Sequence, residues 1–510
     1  MIFDYAIFGA GVIGSAIASK LTRLGKSVVL IEKNTDVAMG ASKANSGLIH
    51  AGFDAKEGTL KARLNVQGNK MFDKLAKELS ISFKRTGALV VGNDLEKLKQ
   101  LKTRGENNGV QGLEIIKKDK LYGLVPNLKK DIKYALYAKT AGIISPYMLT
   151  VALAEEAVIN GAKVVFRFDT KKIKQNETGF EISDGKNVVV AKEIINAAAN
   201  GFNEISKLLK TEMYSAEFRR GEYFVLDKGT GFVELTVFPL PTADSKGILV
   251  TPTASGNVLL GPTSDVCDYN TKTTTEGLQK IRDNVSNLFD NIPWNKVIRE
   301  YSGVRVVCGD DFIVQRSNKN SKVVNVFGIC SPGLSAAPAI AEYVARDILQ
   351  IKGKENFVLR KPYTKMSNLS LAKKNEIISK NKAYGKIVCR CEVISEGEIL
   401  EAINSPLKPT TVDAVKRRVR AGMGRCQGGF CSLKVAELIS SQTGIPFDKI
   451  EKDDVGSFLM IDDIKSRRVL WLLMSLLLVV GHLECKQHFL QALKVQRFCF
   501  LKEMLNLVEF

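Results

Sequence analysis

Three glycines, Gly9, Gly11 and Gly14, stand as G-x-G-x-x-G between a strand-like run and a helix-like one. The first permits a tight turn, the second lets the backbone approach a pyrophosphate, and the third lets the helix pack against the strand. The unpaired amides at the helix N-terminus then face the phosphates. Glu32 closes the next strand-like run, SVVLIEK, about 20 residues on, where a carboxylate can accept hydrogen bonds from an adenosine ribose. Glycines, strand, helix and terminal acid together predict a bound dinucleotide, and NAD and FAD both use such a corner.

A second set of chemically capable residues lies far along the chain. Cys389 and Cys391 form C-x-C, and Cys426 and Cys431 form C-x4-C within GRCQGGFC. Four thiolates at such spacing can hold a structural zinc or an iron-sulfur cluster. Cys267, Cys308 and Cys330 are isolated and are expected to be ordinary buried thiols. The run after Met1 lacks the charged start, apolar core and cleavage site of a secretory signal. A reducing, cytoplasmic setting is therefore expected, where clustered cysteines bind metal or do redox chemistry more often than they form disulfides.

The elements that must position these residues follow from length and pattern. A chain of 510 residues, 45% hydrophobic and 25% charged, predicts a globular protein of more than one domain. DYAIF, GAGVIG, SAIASKLTRLG and SVVLIEK alternate strand, turn, helix and strand, with Gly25 stopping the helix. GALVVG (87–92), AKVVFRF (162–168), GILVTPT (247–253) and NVLLGPT (257–263) predict an antiparallel sheet inserted at about 80–300. The run 323–348 returns to strand, turn and helix, so the first domain is expected to close at about residue 362. A polar linker over 363–385, a compact cysteine module over 386–460 and a tail over 465–510 complete the division.

The segment GASKANSGLIHAGF (40–53), with RLNVQG after it, resembles the flavin-wrapping stretch of the FAD-dependent family that includes D-amino-acid oxidases, L-2-hydroxyglutarate oxidase and flavin-linked glycerol-3-phosphate dehydrogenase. The resemblance continues through NAAAN (196–200), RRGEYFVLD (219–227), TPTASGNVLLGPTSD (251–265), SGVRVV (302–307) and GICSPGLSAAPAIAE (328–342), covering about the first 360 residues. It implies an α/β fold: a Rossmann-like FAD-binding domain with an inserted antiparallel-sheet substrate domain. It also implies that Ser42, Asn45, Ser46 and Gly47 line the flavin. The peptide around Gly333 and Leu334 would meet the ring at a helix N-terminus, which stabilises negative charge on reduced flavin. Ala199 departs from the family, which usually has glycine there. His50, one of three histidines, falls where the chain passes the isoalloxazine and is a candidate base, flavin tether or packed side chain.

Flavin oxidation of an anionic substrate needs a fixed cation, and a guanidinium fork suits carboxylate or phosphate. Arg305 is the first candidate, with Arg220 and Tyr223 behind it; either arginine could instead pair with an internal acid. The stretch 52–69 looks most like bacterial-type glycerol-3-phosphate dehydrogenase, implying oxidation of sn-glycerol 3-phosphate to dihydroxyacetone phosphate. L-2-hydroxyglutarate or another 2-hydroxy acid comes second and an amino acid third. KIVCRCEVISEGEILEAI and DAVKRRVRAGMGRCQGGFC resemble the bacterioferritin-associated-ferredoxin type of [2Fe-2S] domain, a small helical module. Cys389, Cys391, Cys426 and Cys431 would then carry electrons away from the flavin.

A formal charge of +20 raises the prospect of anionic partners. The lysines are scattered and no nucleic-acid motif appears, so nucleic-acid binding is kept only as a competing class. A basic surface could also touch acidic lipid from the membrane periphery. The run Lys416–Arg420 is expected either to dock an acidic redox partner or to form a solvated helix face. In the tail, VLWLLMSLLLVVG (469–481) is shorter than a membrane span, so no transmembrane segment is expected. The DNA beneath LLLVVGHLEC, read from the third codon position, can encode an apolar run followed by GGGPAGM, and that beneath EMLNLVEF can encode DAELGGI. These resemble motifs of an NAD(P)/FAD oxidoreductase. The tail is accordingly expected to be out of frame, from an adjoining reductase that would be the electron-accepting partner.

Overall fold

The computed structural model describes residues 1–241 and 247–460. The tail over 465–510, with its expected frame shift, lies outside the described residues.

The first sheet is built around the strand Ile2–Phe8, which runs parallel to Val28–Ile31 on one side and to Val188–Asn196 on the other. Lys163–Val165 extends it beyond Val28–Ile31, and Val323–Phe327 pairs in parallel with the end of Val188–Asn196. Helices cover the middle of the sheet, where Val28–Ile31 is apolar and buried along its whole length. The helix Val12–Arg23 packs against Pro146–Ile159 and Gly333–Tyr343 through Ile17, Leu21, Leu149, Leu153 and Ile340. Leu60–Glu78 crosses Gly333–Tyr343 closely at Gly68, where a Cβ would run into the Ser335 carbonyl.

The second sheet has nine strands, mostly antiparallel. Its longest pair, Glu217–Leu226 with Val297–Val307, sets Arg219 opposite Arg305 and Tyr223 opposite Tyr301. Two expectations are corrected here. The insertion is not one block over 80–300: it comes in two pieces, because residues 146–209 return to the first sheet and its helices. AKVVFRF is not an antiparallel strand of that insert. The buried helix Pro146–Ile159 carries the chain back onto Val12–Arg23, so the strand that follows pairs in parallel with Val28–Ile31.

The cysteine module pairs Ile387–Cys389 with Ile394–Ser395 and adds the helices Glu396–Ile403, Val412–Val419 and Ser432–Thr443. Ser395 and Glu398 form a reciprocal capping box at the first of these. Its own core contains Ile399, Ile403, Val415, Val435 and Ile439. The connecting stretch 363–385 is ordered. Ser370 caps the helix Leu371–Lys380, none of whose residues is buried, and the Met366 amide bonds Glu398 at 3.1 Å.

Neither expectation for Lys416–Arg420 holds. Arg418 grips Asp36 of the first domain bidentately, at 2.8 and 2.9 Å, and Arg417 bonds Asp36 at 3.0 Å and Asp453 at 2.7 Å. Lys416 pairs with Asp413 and Arg420 with Glu392. These cations are turned inward because the module packs directly on the first domain. Among the described residues, no helix is long and apolar enough to cross a membrane.

Candidate active site

The dinucleotide corner forms as its glycines require. Gly9 has φ +92° and a Cβ there would lie 2.7 Å from the Ala197 carbonyl; at Gly14 a Cβ would run into the Gly9 carbonyl. The amide of Val12, at the helix start, is held by Ser42 Oγ at 2.9 Å, which ties residues 40–47 to this corner. Glu32 accepts from the Ala10 amide at 2.8 Å and from Asn34 Nδ2 at 2.7 Å. Burial raises its pKa, against the pull of these hydrogen bonds.

From this corner a cavity of about 1800 Å³ runs between the two sheets. Gly9, Gly11 and Glu32 line one end, Ser42, Asn45 and Ser46 the middle, and His50, Tyr223, Arg305, Gly333 and Leu334 the other. That volume exceeds the several hundred Å³ of a drug-sized site and accommodates a dinucleotide with a small substrate. Gly14 and Gly47 lie behind the wall, Gly47 receiving its shape from an Asn45 Oδ1 bond to its amide at 2.9 Å. The residues present therefore fit FAD: glycine backbone that would meet a pyrophosphate, an acid that would accept from a ribose, and a helix N-terminus at Gly333.

At the far end, His50 lines the cavity with Nε2 3.4 Å from Ser331 Oγ, and its amide donates to Ser335 Oγ at 2.7 Å. Arg305 Nη2 donates to Ser264 Oγ at 2.6 Å and forms no ion pair among the described residues. Tyr223 stacks on Tyr301, with centroids 4.8 Å apart, and Tyr301 Oη donates to the Asn45 carbonyl at 3.3 Å. Burial pushes the Tyr223 hydroxyl up, with nearby Arg305 pulling the other way.

Arg220 does not belong to this group. Side chains alternate along a strand, so Arg220 and Tyr223, three apart, point to opposite faces. Arg220 pairs with buried Glu222 at 2.9 Å on the far face. Arg219 lines the cavity instead, paired with Glu217 and reaching Ser264 Oγ at 3.5 Å. Sequence reasoning missed Arg219, Tyr301 and Ser264, although counting by twos from Tyr223 and Arg305 finds the first two. Cys267, Cys308 and Cys330 are half-buried rather than buried, and Cys330 lines the cavity.

The cysteines converge pairwise. Cys389 and Cys431 are buried, Cys426 is half-buried and Cys391 is exposed. A hydrogen bond from the Cys431 thiol holds Cys389 down to about 6, against burial, and the same bond pushes Cys431 up. The Cys391 thiol pairs with that of Cys426. Gly424 leaves room for this, since a Cβ there would strike the Cys391 side chain. Among the described residues no three His, Cys, Asp or Glu side chains converge at metal-ligating geometry. Four thiols from two loops, with no histidine among them, are nonetheless the donor set of a [2Fe-2S] cluster.

A dinucleotide cavity roofed by a mixed sheet, with a four-thiol module against its wall, defines a flavin oxidoreductase with a second redox centre. Residues 4–346 match the FAD dependent oxidoreductase family and residues 387–441 the BFD-like [2Fe-2S] binding domain. The chain belongs to the FAD dependent oxidoreductase family. It is 44% identical to glycerol 3-phosphate dehydrogenase of Caloramator mitchellensis, over 91% of this chain and 99% of that one. It is 26% identical to the mitochondrial L-2-hydroxyglutarate dehydrogenase of Arabidopsis thaliana, over 68% of this chain and 83% of that one. Among solved structures, the FAD-bound, dithionite-reduced L-alpha-glycerophosphate oxidase of Mycoplasma pneumoniae matches 70% of this chain and 97% of its own, with a TM-score of 0.66 and 28% identity.

Proposed function

We propose that this enzyme oxidises sn-glycerol 3-phosphate to dihydroxyacetone phosphate and passes the electrons from FAD to a [2Fe-2S] centre held by Cys389, Cys391, Cys426 and Cys431. The observation that carries the substrate is the arginine pair. Arg219 and Arg305 are cross-strand partners that both line the cavity and both reach Ser264. Two guanidinium groups on one face suit a dianionic phosphate. The relative with 44% identity, which acts on this substrate by its name, supports the same reading.

On this reading Arg305 and Arg219 hold the phosphate, and His50 takes the hydroxyl proton as the carbinol hydrogen leaves. Tyr223, kept protonated by burial, offers a neutral hydrogen bond to the substrate oxygen. When bound, the flavin supplies hydride acceptance and the cluster single-electron transfer. The stacked Tyr223 and Tyr301 help exclude water from the reacting end. The electron acceptor beyond the cluster is proposed to be an NAD(P)/FAD reductase, with the enzyme in the cytoplasm or at the membrane periphery.

A second substrate reading is L-2-hydroxyglutarate or a related 2-hydroxy acid, because the same fork suits a carboxylate and relatives named L-2-hydroxyglutarate dehydrogenase match up to 68% of the chain. The test is anaerobic spectroscopic titration with glycerol 3-phosphate, L-2-hydroxyglutarate and amino acids in turn. Bleaching of flavin and then cluster by glycerol 3-phosphate alone is expected. Bleaching only by a 2-hydroxy acid would replace the first substrate with the second. A zinc-loaded, cluster-free module would end the electron-transfer reading.

A further inference from the structure

One wall of the flavin cavity is made by the cysteine loop itself. Arg420, Met423 and Gln427 line the cavity, and Gln427 adjoins Cys426. Arg299 donates to Gln427 Oε1 at 3.1 Å, and Tyr147 Oη donates to the Met423 sulfur at 3.3 Å.

Arg420 joins more partners than either of these. It donates from Nη1 to Tyr147 Oη at 3.0 Å, from Nη2 to Asn257 Oδ1 at 3.1 Å, and from Nε to Glu392 Oε2 at 2.8 Å. Tyr147 belongs to the first domain's helix Pro146–Ile159, Asn257 adjoins the second sheet, and Glu392 follows Cys391 directly. One guanidinium thus ties both domains to a cluster ligand's neighbour. Its backbone sits at φ +68° in the C-cap of Val412–Val419, a left-handed position where glycine is the usual residue. An arginine there is strained, and such strain persists where the surrounding contacts over-determine it.

We propose that Arg420 is a positioning residue for electron transfer, clamping the Cys391–Glu392 loop at a fixed separation from the flavin. This rests on the reading that electrons pass from FAD to the cluster. Each oxidation removes two electrons and two protons from the alcohol, and the electrons leave singly through the cluster to two equivalents of a one-electron acceptor such as ferricyanide. A purely structural role is separable, because Asp36 with Arg417 and Arg418 docks the module independently.

The experiment compares wild-type enzyme with Arg420→Ala and Arg420→Lys, purified anaerobically and mixed rapidly with glycerol 3-phosphate. FAD and iron contents are measured, and flavin and cluster bleaching are followed separately, with EPR of frozen reduced samples. Arg420→Ala is expected to keep both cofactors, bleach flavin at the wild-type rate and reduce the cluster about tenfold or more slowly, a loss of the size small misplacements cause. Arg420→Lys keeps the charge but cannot reach Tyr147, Asn257 and Glu392 together, so it falls between. Cluster reduction at the wild-type rate in Arg420→Ala overturns the proposal. Should that variant lose its iron, the same rates are read on Tyr147→Phe, which takes one acceptor from Arg420 together with the bond to the Met423 sulfur; slower cluster reduction supports the clamp and an unchanged rate overturns it. A wild-type flavin that bleaches while its cluster stays oxidised overturns the underlying flavin-to-cluster reading instead.

Discussion

Ala199 holds φ +48°, a left-handed conformation that costs a side-chain-bearing residue energy, at the position where the family usually has glycine. Ala199→Gly removes that strain but frees the unfolded chain, two effects of similar size. With strain at roughly 1–2 kcal/mol, a net gain of up to about 1 kcal/mol is expected, read as a rise in thermal midpoint. Arg305 and Arg220 separate cleanly. Arg305→Ala should raise KM for a phosphate substrate, losing about 1.5–3 kcal/mol of charge-assisted bonding, or roughly 10- to 150-fold in kcat/KM. Arg220→Ala should leave KM nearly unchanged and lower stability, since it strips the cation from buried Glu222, which keeps its bonds from Thr274 at 2.8 and 2.9 Å. Steady-state kinetics beside thermal melts distinguish the two arginines.

At the scale of elements, the helix Val412–Val419 meets the loop after Val28–Ile31 through one carboxylate and two guanidinium groups. Asp36 is 1% exposed, and the side chains of Arg417 and Arg418 are 3% and 0% exposed. Burying such charges is costly, and a hydrophobic replacement of all three could be as stable; removing one partner alone is what destabilises. Asp36→Asn should therefore cost about 3–5 kcal/mol, seen as earlier denaturant unfolding with release of FAD. Burial acts to raise the Asp36 carboxyl, yet Arg418 and Arg417 hold it at about 2, below the ordinary 3.8. The folded state thus binds this proton less readily than the unfolded chain. Its stabilisation is complete above about pH 4 and is lost as pH falls from about 4 toward 2. Acid titration monitored by flavin fluorescence should place release in that window, and Asp36→Asn should remove its share of the dependence.

For the whole molecule, the two cofactor sites share a wall yet are built from separate cores. Cys431→Ser should abolish iron binding and visible cluster absorbance while FAD content stays at wild-type level; joint loss of both cofactors would show that the module's fold, not only its metal, depends on that thiol. The glycine corner with Glu32, and the C-x-C and C-x4-C pairs each taken singly, were legible in the chain because the first lies within one strand-helix-strand unit and each pair within one loop. The strands of the second sheet were legible as apolar runs, but AKVVFRF was misplaced because local pattern does not say which sheet a strand joins. Arg220 was chosen over Arg219 although strand alternation, a local rule, favours Arg219 beside Tyr223.

The amino-acid order by itself determined a dinucleotide corner and a four-thiol module, since turn geometry, helix periodicity and ligand spacing are short-range properties, while the flavin-wrapping segment was legible through its resemblance to a family. Tertiary structure alone decided that Arg219 and Arg305 face each other over Ser264, and that the basic run Lys416–Arg420 turns inward. It also decided that Arg420 reaches Tyr147 and Asn257. These pairings join residues far apart in the chain, and only sheet register and domain packing bring such groups within hydrogen-bond reach.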